Sequence, residues 1–252
     1  MKNIKTLCFL VLSFATLVSC SYEEEIGSSV TVYPIITVAG PDPYYVQQGT
    51  PYIDPGATAK AGSATVPVTT TALGKYRGTK TLDTNKADEY TVTYTAINSD
   101  GFAATATRKV IVYKNGDLVN SIEGLYTSTT RRNGALLSAT QGSSVDMKYV
   151  YIWKNTDGTY GVSDAFGGWY DIGRKIGGTS ATKGGTITGN ISTNTFTFPG
   201  NPLANEYFGG TANITGLTVN AATKTVVLTC VWNTAPPVTV YTFVSTLTQV
   251  QP

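Results

Sequence analysis

The side chains best suited to chemistry lie close together between residues 163 and 174. This stretch reads Ser-Asp-Ala-Phe-Gly-Gly-Trp-Tyr-Asp-Ile-Gly-Arg. An aromatic ring offers a face on which the C–H face of a sugar can stack, and carboxylate and guanidinium groups can hydrogen-bond the sugar hydroxyls. The stretch therefore predicts a glycan contact. Its candidate ligand-binding residues are Asp164, Phe166, Trp169, Tyr170, Asp171 and Arg174.

The same stretch also fits a purely structural role. Gly167 and Gly168 permit a tight turn or a β-bulge whose tryptophan packs into a core, with Asp164 and Arg174 as a local ion pair. Large aromatic side chains are buried on average, so this interpretation stays open beside the first. If the rings are exposed, further aromatic side chains would extend the platform: Tyr149, Tyr151, Trp153 and Tyr160.

Catalysis has little support in the sequence. A glycoside hydrolase needs two carboxylates about 5 to 9 Å apart across a cleft, and the seven-position spacing of Asp164 and Asp171 permits this without requiring it. The chain has no histidine, which removes the commonest general base and zinc ligand. It has no phosphate-binding loop, dinucleotide fingerprint or nucleophile elbow. We expect no catalytic residues, no metal and no cofactor.

Three outcomes would separate the functions. An exposed, coplanar Trp169–Tyr170 surface would favour glycan binding. Burial of both rings with an apolar patch elsewhere would favour a structural or adhesion role in which a partner protein is bound. A pair of carboxylates facing each other in a deep cleft would favour a hydrolase.

The first residues predict export. Lys2 and Lys5 precede an apolar run over residues 7–18, the pattern of a signal peptide. The run ends in Leu-Val-Ser-Cys at Cys20, which resembles a bacterial lipobox. The resemblance implies a signal peptide over residues 1–19, cleavage before Cys20 and lipidation of its thiol, which would fix the chain to a membrane. The alternative is an ordinary secretory signal cut near Ser19.

Residues 20–33 are interpreted as the lipidated tether. Ser21, rather than an aspartate, follows the cysteine, which favours the outer membrane in Gram-negative lipoproteins. The acidic run Glu23 to Glu25 resembles the surface-export signal of Bacteroidetes-type lipoproteins. We therefore expect an outer-membrane lipoprotein that faces the cell exterior. The alternative is a solvated tether that carries no address.

The rest of the composition argues against a nucleic-acid partner and against an intramolecular disulfide. Without Lys2 and Lys5 the 18 basic residues become 16, which balance the 16 acidic residues, and no basic run predicts a nucleic-acid partner. Of the three cysteines, Cys8 leaves with the signal and Cys20 is lipidated. Cys230 then has no partner for an intramolecular disulfide, and its place in an alternating strand predicts a small buried side chain.

Residues 34–114 are predicted to form a first β-domain. Tyr90, Val92 and Tyr94 alternate with threonines, a turn sequence follows at residues 98–101, and a return strand completes a hairpin that ends at Tyr113. The string Tyr-x-Asp-Pro-Gly-Ala-Thr-Ala from Tyr52, together with this hairpin, resembles a bacterial immunoglobulin-like domain. The resemblance implies a β-sandwich that acts as a spacer or recognition module, in which Tyr52 and Pro55 pack and shape a turn.

Residues 118–252 are predicted to form a second β-domain after a joint at residues 114–117. Its many short alternating segments, separated by Gly, Pro, Asn and Asp turns, predict a β-barrel or β-sandwich. The candidate strands are 122–128, 145–153, 159–162, 185–188, 195–198, 225–232 and 238–247. The opening at residues 122–126 and the stretch 163–174 resemble the C-terminal β domain of lipoproteins encoded with Sus-type polysaccharide-uptake systems in Bacteroidetes.

Together these observations predict an all-β lipoprotein with an Ig-like β-sandwich and a second β-domain. The resemblance implies a non-catalytic glycan-binding accessory of a polysaccharide-uptake system. Its expected partners are the membrane, through the lipid on Cys20, a polysaccharide and outer-membrane uptake proteins. The alternatives are a structural or adhesion lipoprotein and, third, a glycoside hydrolase.

Overall fold

The described part of the chain, residues 31–137 and 142–252 of a computed structural model, is built almost wholly from β-strands. The all-β prediction is therefore confirmed. The signal peptide, the lipidation of Cys20 and most of the tether lie outside the described residues. Among the described residues, no helix is both long enough and apolar enough to cross a membrane.

The first domain is an Ig-like sandwich of two sheets. One sheet has the order β1-β3-β4, and the other has the order β2-β7-β6-β5, in which β2 runs parallel to β7. The strands are β1 (Ile35–Val38), β2 (Tyr44–Gln47), β3 (Ala57–Ala61), β4 (Ala64–Val66), β5 (Val68–Gly74), β6 (Asp88–Ile97) and β7 (Ala103–Tyr113).

The alternating pattern of β6 and β7 determines which face is buried. Tyr90, Val92 and Tyr94 of β6 are at most 2% exposed, and they pack with Val110 and Val112 of β7. In a strand successive side chains point to opposite faces, so the residues between them face outward. The predicted hairpin is thus present, and its turn is held by Asn98, whose side-chain oxygen accepts the backbone N–H groups of Asp100 and Phe102.

The string from Tyr52 to Ala59 closes over a buried arginine. Asp54 accepts hydrogen bonds from the hydroxyls of Tyr52 and Tyr94, at 3.1 and 2.7 Å, and pairs with Arg108 at 2.6 Å. Burial opposes the charged carboxylate, but these donors and the Arg108 charge keep the pKa of Asp54 below its usual range. The motif is therefore a structural anchor of the sandwich.

The second domain is a single curled sheet that forms a half-barrel. Its order is β13-β12-β11-β10-β8-β17-β16-β15-β14, with β9 paired to β8. The strands are β8 (Gly124–Arg132), β9 (Ala135–Leu136), β10 (Met147–Lys154), β11 (Tyr160–Val162), β12 (Gly184–Asn190), β13 (Thr195–Thr197), β14 (Leu203–Ala204), β15 (Thr211–Asn220), β16 (Thr225–Asn233) and β17 (Val240–Gln249). The concave face of the sheet holds the main core of this domain.

The two domains share a small core of their own. Tyr76, Ile111 and Tyr113 of the first domain pack with Leu125 and Tyr151 of the second. Residues Tyr33–Pro252 accordingly form one compact unit. The relative position of the two domains is fixed by packed side chains rather than by the linker alone.

Candidate functional site

The aromatic rings predicted to form a platform are buried. Phe166 and Trp169 are 0% exposed and Tyr170 is 4% exposed. Gly167 and Gly168 adopt positive φ angles, 64° and 83°, and turn the chain into a five-residue π-helical segment, Trp169–Gly173, which lies in the core. Of the two interpretations that the sequence leaves open, these rings follow the structural one: they pack into the core and form no exposed Trp169–Tyr170 surface.

Asp164 organises the turn from inside. Its carboxylate accepts backbone N–H groups of Phe166, Gly168 and Thr182 at 2.9, 3.1 and 3.0 Å. Burial raises the pKa of Asp164 to about 7, although the three donors oppose the shift. The ion pair expected with Arg174 is absent from the described residues, since Arg174 lies exposed at the surface.

Asp171 is a contact between the domains. It accepts the hydroxyl of Tyr76 at 2.7 Å and pairs with the ammonium group of Lys75 at 2.9 Å. Asp164 and Asp171 are therefore each held by separate structural partners. This is not the arrangement of an acid and a base that face each other across an open cleft.

The other four aromatic residues proposed for the platform are also mostly buried. Tyr151, Trp153 and Tyr160 are buried, and Tyr149 is half-buried at the edge of the domain junction. Cys230 is fully buried, as expected, and burial raises the pKa of its thiol to about 12. Of the four aromatic residues in this set, Tyr149 is the most exposed.

An aromatic surface does exist, at the rim where β8 and β16 end and β17 begins. We call it the aromatic mouth, and it consists of Arg132, Tyr207, Phe208, Trp232 and Tyr241. The side chains of Arg132, Trp232 and Tyr241 point to the same face of their strands as the core residues, and they lie at the strand ends nearest the rim. They therefore extend the row of core side chains to the open end of the half-barrel. Tyr207 and Phe208 come from the loop between β14 and β15.

Ring contacts connect the mouth from one side to the other. The centroid of Tyr207 lies 4.7 Å from that of Phe208, Phe208 lies 5.9 Å from Trp232, and Trp232 stacks on Tyr241 at 5.8 Å. The indole N–H of Trp232 donates to the carbonyl of Gly209 at 3.1 Å, which ties the loop to β16. Tyr207 is 58% exposed, and Phe208 and Tyr241 are half-buried.

Arg132 supplies the charge of the mouth. Its guanidinium lies 4.9 Å from the ring centroid of Tyr241, a cation–π contact, and donates to the hydroxyl of Tyr170 at 3.1 Å. Arg132 is not among the site residues that the sequence predicts. Its position on the core face of β8, in step with the buried Ser128 and Thr130, was the signal that could have placed it here.

The stretch 163–174 lies directly beneath this mouth. Tyr170 contacts Phe208 at 4.7 Å, and Phe166 contacts Trp232 at 5.3 Å. The predicted rings therefore pack beneath the mouth, against the half-buried Phe208 and the buried Trp232. Within the described ranges, no group of three or more His, Cys, Asp or Glu side chains is arranged to hold a metal.

Comparisons with known proteins agree with this architecture. Residues 36–112 match the family model of the bacterial surface protein Ig-like domain, and residues 115–249 match a model of a C-terminal domain. The crystal structure of the lipoprotein BT2262 from Bacteroides thetaiotaomicron matches 86% of this chain and all of its own chain, at 24% identity and a TM-score of 0.58, which shows a shared fold.

No curated protein matches the chain significantly. Neither matched family is a known enzyme family. The C-terminal model spans more than half of the chain, residues 115–249 of 252. The chain therefore belongs to the family of this C-terminal domain, carries an Ig-like domain of bacterial surface proteins in front of it, and shares the fold of the lipoprotein BT2262.

Proposed function

We propose that this protein binds a glycan at the cell surface without cleaving it, and that the aromatic mouth is the binding site. The observation that carries the proposal is the continuous row of rings from Tyr207 to Tyr241 with Arg132 stacked at its end. In this role the protein is an accessory of a polysaccharide-uptake system, held on the exterior of the outer membrane by the lipid on Cys20.

The chemistry of the mouth suits a sugar. The partly exposed rings of Tyr207 and Tyr241 offer faces for the C–H side of a pyranose. A guanidinium has five N–H donors, and the hydroxyl of Tyr170 takes only one contact from Arg132, so donors remain for sugar hydroxyls. Beside Tyr207, the partly exposed pair of Lys183 and Glu206, 3.4 Å apart, adds both a donor and an acceptor.

The rest of the chain supports a protein that binds the glycan without cleaving it. Asp164 and Asp171 are occupied by structural contacts, so the proposal assigns no acid or base. A lipid anchor with two or more acyl chains holds a protein stably to a bilayer. The Ig-like domain then acts as a spacer that carries the mouth away from the membrane.

A glycan array with the full chain in detergent tests the proposal. We expect the parent to bind at least one glycan, and Tyr207→Ala and Tyr241→Ala to weaken that binding roughly 2- to 10-fold, since an aromatic stacking contact contributes about 0.5 to 1.5 kcal/mol. Ile53→Ala is the control, because Ile53 is 81% exposed on the first domain. Equal binding by all four proteins would move the glycan site away from the mouth, and binding by none would reject the function.

A second candidate function is the binding of a partner protein. The observation that favours it is the apolar rim beside the mouth, where Val238 is 64% and Val240 is 54% exposed. Aromatic and arginine side chains are also enriched at protein interfaces. A photo-crosslinking residue at Val238, in intact cells, should then join the protein to an outer-membrane uptake protein. The same residue at Ile53 should not, and equal adducts from both positions would contradict this function.

A further inference from the structure

An accessible cavity lies at the junction of the two domains. Its volume is about 510 Å³, and it opens between the outer face of the β2-β7-β6-β5 sheet and the start of β10. It shares no residue with the aromatic mouth. We call it the junction cleft, and its volume lies within the range of about 300 to 1,000 Å³ typical of small-molecule sites.

The floor of the junction cleft follows from the alternation of the Ig-like strands. The core side chains of β6 and β7 include Tyr90 and Val110, so the alternate positions point away from that core. The register places Glu89 opposite Ile111 and Thr91 opposite Lys109. Floor residues from three adjacent strands line the cleft: Tyr45, Glu89, Thr91, Thr107, Lys109 and Ile111.

The wall of the cleft comes from the second domain. Lys148 and Tyr149 of β10 line it, and the hydroxyl of Tyr149 lies 2.9 Å from the hydroxyl of Tyr45 across the junction. The two rings meet edge to face, with centroids 6.3 Å apart. A ligand here would therefore contact both domains and two tyrosines.

The charges of the lining cancel. The lining includes the carboxylates of Asp42 and Glu89 and the ammonium groups of Lys109 and Lys148, two of each sign. Lys109 pairs with Glu89 at 3.1 Å. Arg108 also borders the cleft, but its guanidinium is bound to Asp54 in the sandwich. A lining without net charge, rich in donors, acceptors and hydroxyls, suits a neutral ligand that carries many hydroxyl groups.

We infer that the junction cleft is a second, independent binding site for a short neutral saccharide. The tyrosine edges would contact its C–H groups. Its hydroxyls would form hydrogen bonds with the hydroxyl of Tyr149 and with the side chains of Thr91, Thr107, Glu89 and Lys109. This inference rests on the proposed glycan-binding function for the role of the protein, and it extends that function to a site at the junction of the two domains.

Thr107→Trp tests the cleft without removing a buried contact. Thr107 is exposed on the floor, so a large ring there fills the cavity from the surface. Thr105→Trp is the matched control, because Thr105 is exposed on the same face of β7 but does not line the cleft. Tyr149→Phe removes only the hydroxyl and keeps the ring.

The measurement is calorimetric titration of the full chain in detergent with maltohexaose, cellohexaose, xylohexaose and mannohexaose. We expect two sites per chain in the parent and in Thr105→Trp for at least one of these sugars, and one site in Thr107→Trp. Tyr149→Phe should weaken the cleft site about fivefold, the loss of one hydrogen bond of about 1 kcal/mol. Tyr241→Ala should remove or weaken only the other site.

The outcomes separate the two proposals. A single site that Tyr241→Ala weakens and Thr107→Trp leaves unchanged would overturn the cleft and keep the mouth. A single site abolished by Thr107→Trp alone would keep the cleft and overturn the mouth. No binding of any of the four sugars would overturn the inference about the cleft.

Discussion

At the scale of single residues, Asp164 links stability to pH. Its folded-state pKa of about 7 lies above the value of about 3.9 expected in the unfolded chain. Between these values the folded protein holds a proton that the unfolded chain has released, so this group stabilises the fold below about pH 4. That contribution is lost as the pH rises through about 7, and it amounts to at most about 4 kcal/mol.

Asp164→Asn isolates this effect. The amide nitrogen of asparagine cannot accept the backbone N–H of Gly168, so the variant should be less stable than the parent at low pH, by about 1 to 3 kcal/mol. The difference in unfolding free energy, measured by urea denaturation from pH 4 to pH 8, should shrink as the pH rises. A difference that is constant across this range, or that grows, would show that Asp164 is ionised in the folded protein.

At the scale of elements, the turn at residues 167 and 168 depends on close packing. A side-chain carbon at Gly167 would lie 2.0 Å from the hydroxyl oxygen of Ser245 and 2.4 Å from that of Thr130. Gly158 also has a positive φ, 85°, but a side-chain carbon there would meet nothing within 4 Å. Alanine at position 158 therefore reports the free-energy cost of backbone strain alone, whereas alanine at position 167 adds the cost of a steric clash.

Gly167→Ala and Gly158→Ala should differ in stability. Gly158→Ala should cost about 1 to 2 kcal/mol, the strain of a left-handed residue with a Cβ. Gly167→Ala should cost more by a further 1 to 3 kcal/mol, because the turn must move away from Thr130 and Ser245 to admit the methyl group. Chemical denaturation measures both, and equal losses would mean that the turn is free to shift within the core.

The elements that could be predicted from sequence are those with uninterrupted alternation. The β6–β7 hairpin and the strand at 225–232 show this pattern, and each forms. The ten-residue strand β15, Thr211–Asn220, escaped prediction. Gly216 and Asn213 stand inside it, and a bulge between Ile214 and Gly216 shifts the register, so its pattern does not keep a period of two.

The exposed aromatic residues could not be predicted for a related reason. Residue types pointed to the rings that lie beneath the proposed site, but burial depends on which strands cover a ring. Phe166 is buried against Trp232 and Phe243, more than sixty positions later in the chain. The alternation of a strand says which side chains share a face, but it does not say where the covering sheet ends. For that reason the sequence did not predict which side chains around these rings are accessible, namely Arg132, Tyr207, Phe208 and Tyr241.

At the scale of the whole molecule, the two domains are joined by a network that buries polar groups with the rings. Tyr76 packs on Tyr151 with centroids 5.7 Å apart, and its hydroxyl donates to Asp171, which also pairs with Lys75. Burial raises the pKa of Tyr76 well above its usual value, so it stays neutral and remains a donor. This joint holds the junction cleft between two fixed walls.

The joint should also make the two domains unfold together. We expect scanning calorimetry of the full chain to give one transition, with equal calorimetric and van't Hoff enthalpies.

Tyr76→Ala should remove about 3 to 5 kcal/mol of packing at the joint and leave Asp171 with Lys75 as its remaining partner. Because the Ig-like sandwich and the half-barrel each keep their own core, the variant should unfold in two separate transitions. Tyr207→Ala, which alters only the exposed mouth, should keep the single transition. Two transitions in the parent would mean that the domains are coupled more weakly than their shared core implies, and the junction cleft would then open and close with their motion.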